Sequence, residues 1–220
     1  MKRSSLRYLL LTSRFDQLWF PLAFWALFII IGVLRGPQYI FDTTRAYLGA
    51  ILPLIGGIMA AYGVLDDPVL ELRFATPISA AQTLLEHIAP TFVIQALAAL
   101  AYQVFAWLFG IDITPLGSWF DVQLAWLIPT LALMAFGSLM ALFSTQTATG
   151  AVLTGMVWIV QLVARGWFAK NEIGQYLLVF MSPFITDHPA LRANQLTLAL
   201  LSLLFFVLGW RLFHRQERYL

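Results

Sequence analysis

The chain has 220 residues, of which 60% are hydrophobic and 15% aromatic while only 11% are charged, against about 25% charged in soluble globular proteins. At a mean hydropathy of +0.81 these few charges cannot cover a water-facing surface, so a soluble domain is excluded and lipid is the expected solvent for most of the chain. Cysteine is absent, which removes disulfides, thiolate nucleophiles and thiolate metal sites, and the formal net charge of +2 matters less than where the 13 Lys and Arg fall.

Residues 1–17 predict an interfacial helix, because a helical projection gathers Arg3, Arg7 and Arg14 on one side and Tyr8, Leu11 and Phe15 on a neighbouring one. Leu6 and Leu9 fall elsewhere on the wheel, which is also compatible with a plain basic leader. A bilayer core of about 30 Å takes roughly 20 apolar residues per helix, and that template predicts six spans. They lie near Leu18 to Leu34, Tyr47 to Leu65, Pro90 to Ile111, Gln123 to Phe143, Ala151 to Phe168 and Leu196 to Phe213. The expected fold is therefore all-α, a single polytopic membrane domain over residues 1–220. The first apolar run is too long for a cleavable signal, and no small-residue cleavage site follows it.

Six spans bring both termini to one side, where Lys2, Arg3, Arg7, Arg14, Arg211, Arg215 and Arg218 mark it as cytoplasmic. Arg73 joins them, leaving Arg35, Arg45, Arg165, Lys170 and Arg192 outside. Five spans would separate the two basic termini.

The connection after the second span, residues 66–88, contains two helix starts. Asp67 can cap a helix whose first position is Pro68, running through Phe74, and Ser79 with Gln82 has the spacing of a capping box for a second helix from near Ala80 into the third span. Thr76 and Pro77 separate them. On the second helix Ile78, Ala81, Leu85 and Ile88 are expected to pack, and Gln82, Thr83, Glu86 and His87 to meet water. The other inside loop is only Ser144 to Gly150, so the long connection fits a docking surface and equally a cap on the bundle. Outside, residues 35–45 and the third-to-fourth connection with Trp119 and Phe120 carry aromatics suited to headgroups, and residues 169–195 include an apolar stretch, 174–185, too short to cross, which is expected to dip into the outer leaflet as short re-entrant helices.

Catalytic and metal-binding patterns are missing. His87, His188 and His214 have no ligand spacing, and neither a His-Glu-x-x-His, a Gly-x-Ser-x-Gly nor a nucleotide-binding Gly-x-x-x-x-Gly-Lys-Ser/Thr run occurs. No catalytic or metal residue is therefore assigned. The span interiors hold neutral polar groups in place of the titratable ones a proton relay needs. Gln95, Gln103, Thr130 and Gln161, with Ser138 and Thr154, can line a path or simply hydrogen-bond between helices. Small residues four apart, Gly56 with Ala60, Gly57 with Ala61 and Gly137 with Ala141, suit close helix contacts within the bundle or across a dimer.

The run Leu70-Glu-Leu-Arg-Phe-Ala-Thr-Pro-Ile-Ser79, followed by Gln82-Thr-Leu-Leu85, resembles the second-to-third-helix segment of six-helix permeases of ATP-binding-cassette exporters, the ABC-2 type, where a Leu-Glu-Leu-Leu-Leu-x-Thr-Pro-Val-Ser stretch is common. The basic start, six spans, Ser182-Pro183 before the last span and the basic end extend the resemblance over essentially the whole chain. Departures are Asp67-Pro-Val-Leu where the family often has Glu-x-Gly-Thr, and Arg73-Phe74 for a leucine pair. The resemblance implies a permease subunit, not an enzyme, in a prokaryotic plasma (inner) membrane. It implies that residues 67–75 form a coupling helix seated in a separate ATPase subunit, with Leu70, Leu72 and Phe74 as apolar anchors and Asp66, Glu71 and Arg73 at the rim. ATP and Mg would be bound by that partner and no cofactor by this chain. A second permease chain, identical or different, and membrane lipids are the other implied partners, with no nucleic acid. Two alternatives stay open: a membrane enzyme acting on lipid, for which Glu172, Asp187 and His188 are the only nearby groups, and a non-transporting assembly subunit.

Overall fold

A computed structural model describes residues 16–65 and 80–214, and among these every regular element is a helix. The expected interfacial helix before Asp16, the coupling segment 66–79 with Ser79 of its second cap, and residues 215–220 lie outside the described residues. Helix α1 covers Asp16–Arg35. Gly36, at φ +96°, ends it in a conformation that a side chain would strain, and Pro37 opens α2, Pro37–Ala46. The stretch expected to be an outside loop, residues 35–45, is thus helical. Its polar groups are absorbed along the helix, since Thr43 and Thr44 hydroxyls donate to the carbonyls of Tyr39 and Ile40 at 2.8 Å and Arg45 pairs with Asp42 at 3.1 Å.

The helix continues through a π turn at Tyr47–Ile51 into α3, Leu52–Leu65. Pro53 has no N–H to give the carbonyl four residues earlier, and the Leu52 N–H reaches back to the Tyr47 carbonyl instead, which widens the turn. One carbonyl of that turn, Ala50, accepts from the indole of Trp158 at 2.8 Å. Helix α4, Ala80–Leu108, runs unbroken past Pro90, so a helix does lead from Ala80 into the third span. Its packed face is only partly the one expected, with Ile88 buried and Gln82 exposed as read but Thr83 and Leu85 reversed. Thr83, Leu84, Ile88, Thr91, Gln95, Ala99, Tyr102 and Ala106 are buried, whereas Leu85 is 66% exposed. The inward stripe is set by the span that follows, and its spacing places Leu84 inside and turns Leu85 out.

Helix α5, Trp119–Ser144, begins before the expected Gln123, at a capping box in which Ser118 Oγ accepts from the Asp121 N–H and Asp121 accepts from the Ser118 N–H. The expected inside loop from Ser144 to Gly150 contracts to a turn through Thr145, at φ 58°, because α6 already starts at Thr147. Helix α6, Thr147–Val163, breaks at Ala164 before the short α7, Arg165–Lys170, so the fifth apolar helix ends earlier than the predicted Phe168. Two further short helices, α8 (Gly174–Leu177) and α9 (Met181–Phe184), precede α10, Leu191–Phe213, which starts one turn before the predicted Leu196.

Among the described residues four helices are long and apolar enough to cross a membrane: the α2–α3 rod from Gln38 to Leu65, α4 from Gln82, α5 and α10. Helices α1 and α6 are shorter apolar helices. At 1.5 Å per residue the 17 residues of α6 reach about 25 Å, less than a hydrocarbon core of about 30 Å.

Helices α3 and α5 form the centre, with α4, α6 and α10 packed around them. Backbones touch where the small residues fall. A Cβ at Gly137 would strike the Gly57 carbonyl, one at Gly57 would lie 2.6 Å from Thr154 Cγ2, and one at Gly150 would lie 2.7 Å from the Ala141 nitrogen. Three helices, α3, α5 and α6, therefore meet within the chain at the predicted small-residue positions plus Gly150. The outward faces are apolar: Val93, Leu97 and Trp107 on α4, Met156 and Ile159 on α6, and Leu200 and Leu203 on α10 are all exposed. Gly137→Ala is expected to lower the melting temperature of the detergent-solubilised protein markedly, since backbone atoms of α3 must yield (overpacking costs about 1–3 kcal/mol). Gly155→Ala, where nothing lies within 4 Å of the new methyl, is expected to leave it unchanged or raised.

Candidate functional site

Polar side chains point inward on the central helices, the reverse of a water-soluble bundle. Gln95 of α4 is fully buried beside Gly56 of α3, whose missing side chain leaves room for it. A Cβ there would meet Thr130 Cγ2 at 3.0 Å, Met134 Cγ at 3.3 Å and Gln95 Cγ at 3.4 Å. The Gln95 amide donates to Met59 Sδ at 3.4 Å, and its Oε1 is buried with no partner among the described residues. Thr130, also fully buried, donates to the Trp126 carbonyl at 2.6 Å, a back-bond that spares the hydroxyl an unpaired proton in an apolar setting.

One turn further along, the Trp126 indole donates to Gln123 Oε1 at 2.8 Å, and Gln123 and Gln103 exchange amide hydrogen bonds, 2.7 Å from Gln123 to Gln103 and 3.3 Å in return. Gln95, Gln103 and Thr130 thus belong to one polar seam between α3, α4 and α5. Gln161 does not; its Oε1 accepts from the Val179 N–H at 2.7 Å and ties α6 to the segment between α8 and α9. The seam's partners Gln123 and Met59 were not singled out in the sequence. Only the three-residue spacing of Gln123 and Trp126 on one helix face hints at the first.

Residues 178–183, expected to dip into the outer leaflet, are almost wholly buried against the end of the bundle. Asn194 Nδ2 donates to the carbonyls of Gln175 at 2.8 Å and Leu178 at 3.0 Å, Gln195 donates to Ser182 at 3.0 Å, and Pro183 lies directly over Gly49 in the π turn, where any side chain would collide. The buried non-helical backbone here keeps carbonyls satisfied through these amides.

Beside it opens a cleft of about 470 Å³ lined by Thr114, Asp121, Asp187, His188, Leu191 and Arg192 among others. Two of its polar walls, Arg192 and His188, are engaged with other groups of the chain. Arg192 pairs with Asp121 at 2.5 Å and donates to Gln195 at 3.1 Å. His188 Nδ1 accepts from the Ala190 N–H at 3.2 Å, so Nε2 carries the proton and donates to the Ala169 carbonyl at 3.2 Å. Both nitrogens hold backbone in place. Of the three candidate groups for a lipid-modifying site, Asp187 and His188 line the cleft and Glu172 does not. No group of three or more His, Asp or Glu that could hold a metal occurs among the described residues. At the cleft's lip, hydrogen bonds from Thr114 hold Asp112 below the usual carboxylate pKa, a contribution to the turn that is complete above the ordinary value and lost as pH falls through the lowered one.

The candidate partner-coupling residues Asp66, Asp67, Leu70, Glu71, Leu72, Arg73 and Phe74 lie outside the described residues. What flanks them is well packed. Ala60 and Val64 at the end of α3, Leu84 and Ile88 at the start of α4, Met134 and Leu142 of α5, and Phe213 of α10 form one buried cluster. No protein-family model, curated protein or solved structure matches the chain.

Gln103→Leu leaves Gln123 without its amide partner and is expected to destabilise the protein in detergent by about 0.6 kcal/mol, a typical figure for interhelical bonds in membranes. The double change Gln103→Leu with Gln123→Leu is expected to recover part of that loss, as read by thermal unfolding in a double-mutant cycle.

Proposed function

We propose that the chain is the membrane-spanning permease subunit of an ATP-driven exporter, working with a separate ATP-hydrolysing subunit and a second permease chain. In this proposal α1 and α6 are the remaining two of six spans, shortness being met by local thinning of the bilayer. Both termini and residues 66–79 then face the cytoplasm of a prokaryotic cell, and ATP and Mg act in the partner.

The observation that carries the proposal is the buried cluster at the two ends flanking residues 66–79. A soluble motor can move a membrane protein only through a stiff connection, because a push on a flexible loop is dissipated as loop entropy. Here α3 ends at Leu65 and α4 starts at Ala80, and their side chains interlock with α5 and α10 within two turns of those ends. A displacement of the intervening segment would therefore reach four helices together. Leu70, Leu72 and Phe74 supply apolar anchors for a groove in the partner, and Asp66, Glu71 and Arg73 supply orienting charges, with Asp67 capping the segment. The neutral seam of Gln95, Gln103 and Thr130 suits transport driven from outside the membrane better than ion coupling, which uses titratable groups.

Expressed from its native locus and solubilised in detergent, the protein is expected to retain an ATPase subunit in stoichiometric amount. Phe74→Asp is expected to release that subunit and abolish ATP-dependent export while the permease still elutes as a folded species on size exclusion. Retention of the ATPase by the Phe74→Asp variant, or copurification of none by the wild type, rules the proposal out.

A further inference from the structure

Two arginines from distant parts of the chain share one aromatic ring. The Arg45 guanidinium carbon lies 5.3 Å from the centroid of Phe184 and that of Arg165 lies 5.4 Å from the same centroid, with Arg45 also 5.8 Å from the ring of Phe41. Three elements are fixed to bring this about. Pro183 seated on Gly49 sets Phe184 beside the end of α2, the break at Ala164 brings Arg165 over the Phe184 ring, and the Asp42 ion pair holds Arg45 along its own helix.

The charge at this place is not balanced. Asp42 offsets Arg45, but Arg165 is exposed and has no ion pair among the described residues, and Arg45 Nε is buried without a hydrogen-bond partner. Both guanidiniums flank one ring, and a cation–π contact of about 0.5–1 kcal/mol at an exposed site does not neutralise either. A shared anion would. Depth points to which anion. Arg45 lies twenty residues from Leu65 on one continuous helical rod, and twenty residues at 1.5 Å span about 30 Å, one hydrocarbon thickness. When the Leu65 end of that rod is at one interface, Arg45 is at the headgroup level of the other. Trp167, two residues along from Arg165, and Tyr39, on the helix that carries Arg45, are both exposed and are of the aromatic type that favours that level.

We propose that Arg45, Arg165 and Phe184 form a binding site for the phosphate of an anionic phospholipid headgroup, with Phe184 as the platform that spaces the two guanidiniums and Phe41 beside it. Guanidinium forks match phosphate oxygens, and Arg165, exposed and without an ion pair among the described residues, has its fork to offer. The assignment needs only a membrane-spanning chain and is independent of the exporter proposal.

Native mass spectrometry of the full chain in detergent, titrated with phosphatidylglycerol and with phosphatidylcholine of the same acyl chains, tests it. Arg165 is exposed, so Arg165→Gln is not expected to disturb folding; it should weaken phosphatidylglycerol binding about fivefold and leave phosphatidylcholine binding unchanged. Lys170→Gln, the same loss of charge on the same short helix, should change neither, and Phe184→Leu should weaken phosphatidylglycerol binding although every charge remains. Equal effects of Arg165→Gln and Lys170→Gln would mean diffuse attraction and overturn the site, as would wild-type binding by Arg165→Gln. Displacement of bound phosphatidylglycerol by millimolar inorganic phosphate would assign the arginines to free phosphate and overturn the lipid assignment.

Discussion

The contact on which the bundle depends is the approach of three backbones at Gly57, Gly137 and Gly150. Lipid tails are as apolar as leucine, so no hydrophobic drive holds one membrane helix against another, and close packing must supply what burial supplies in water. Removing side chains at these positions puts a Gly137 Cα almost against the Gly57 carbonyl and seats Gly150 on the Ala141 backbone. Ala61, Ala141 and Ala151 continue the seam one turn along. Because α3, α5 and α6 cannot slide past one another without collision there, the other helices inherit fixed positions around them.

That fixed centre explains where polarity can be stored. Thr130, Thr154 and Ser202 each return a hydroxyl proton to a carbonyl one turn back, at 2.6, 2.8 and 2.7 Å, so a fully or nearly buried polar side chain is carried at little cost. The amides have no such local remedy. Gln103 needs Gln123 from the neighbouring helix, Gln161 needs a backbone N–H from the segment after α8, and Asn194 needs two carbonyls there. Amides thus act as cross-ties between elements and hydroxyls serve single helices. Gln95, held only by a thioether with its carbonyl oxygen unpaired, is the exception. An unpaired buried acceptor costs about 1–3 kcal/mol, which makes this the point of the seam where a bound polar group or a shifted helix would gain most.

Composition and apolar runs are enough to read the helical class and the places of four long apolar helices, because lipid admits few alternatives: a backbone in hydrocarbon must satisfy itself internally. The small-residue pairs were equally legible, since the same spacing that identifies them also creates the contact. Two features were not. Residues 35–45 look like a loop by polarity, yet Thr43, Thr44, Asp42 and Arg45 find their partners along the helix itself, and polarity alone does not distinguish a helix that satisfies its own side chains from a coil. The face of α4 was partly misplaced because its first two turns, taken alone, have two competing stripes. Only the seven-residue recurrences of Leu84 with Thr91 and of Ile88, Gln95 and Tyr102, with Ala99 beside them, select between them. Of the candidate polar residues, identity was readable and grouping was not: Gln161 lies apart from Gln95, Gln103 and Thr130 because of a reversal after α6 that no local pattern encodes.

The two ends of the α2–α3 rod are held in different ways, and that asymmetry bears on how it can move. Near Leu65 the rod is locked by aliphatic side chains of α4 and α5 together with Phe213, contacts without direction that tolerate small sliding. Near Tyr47 it is widened into a π turn, wedged by Pro183 at Gly49 and hydrogen-bonded from Trp158 to the Ala50 carbonyl. Those contacts are directional and are lost after a small rotation. A torque applied at the Leu65 end would therefore travel along the rod with little loss and concentrate at the π turn, where a helix already departs from its regular bonding and can change register most cheaply. The segment from α8 to α9 rests on that turn, so it is the first element outside the rod that such a torque would displace.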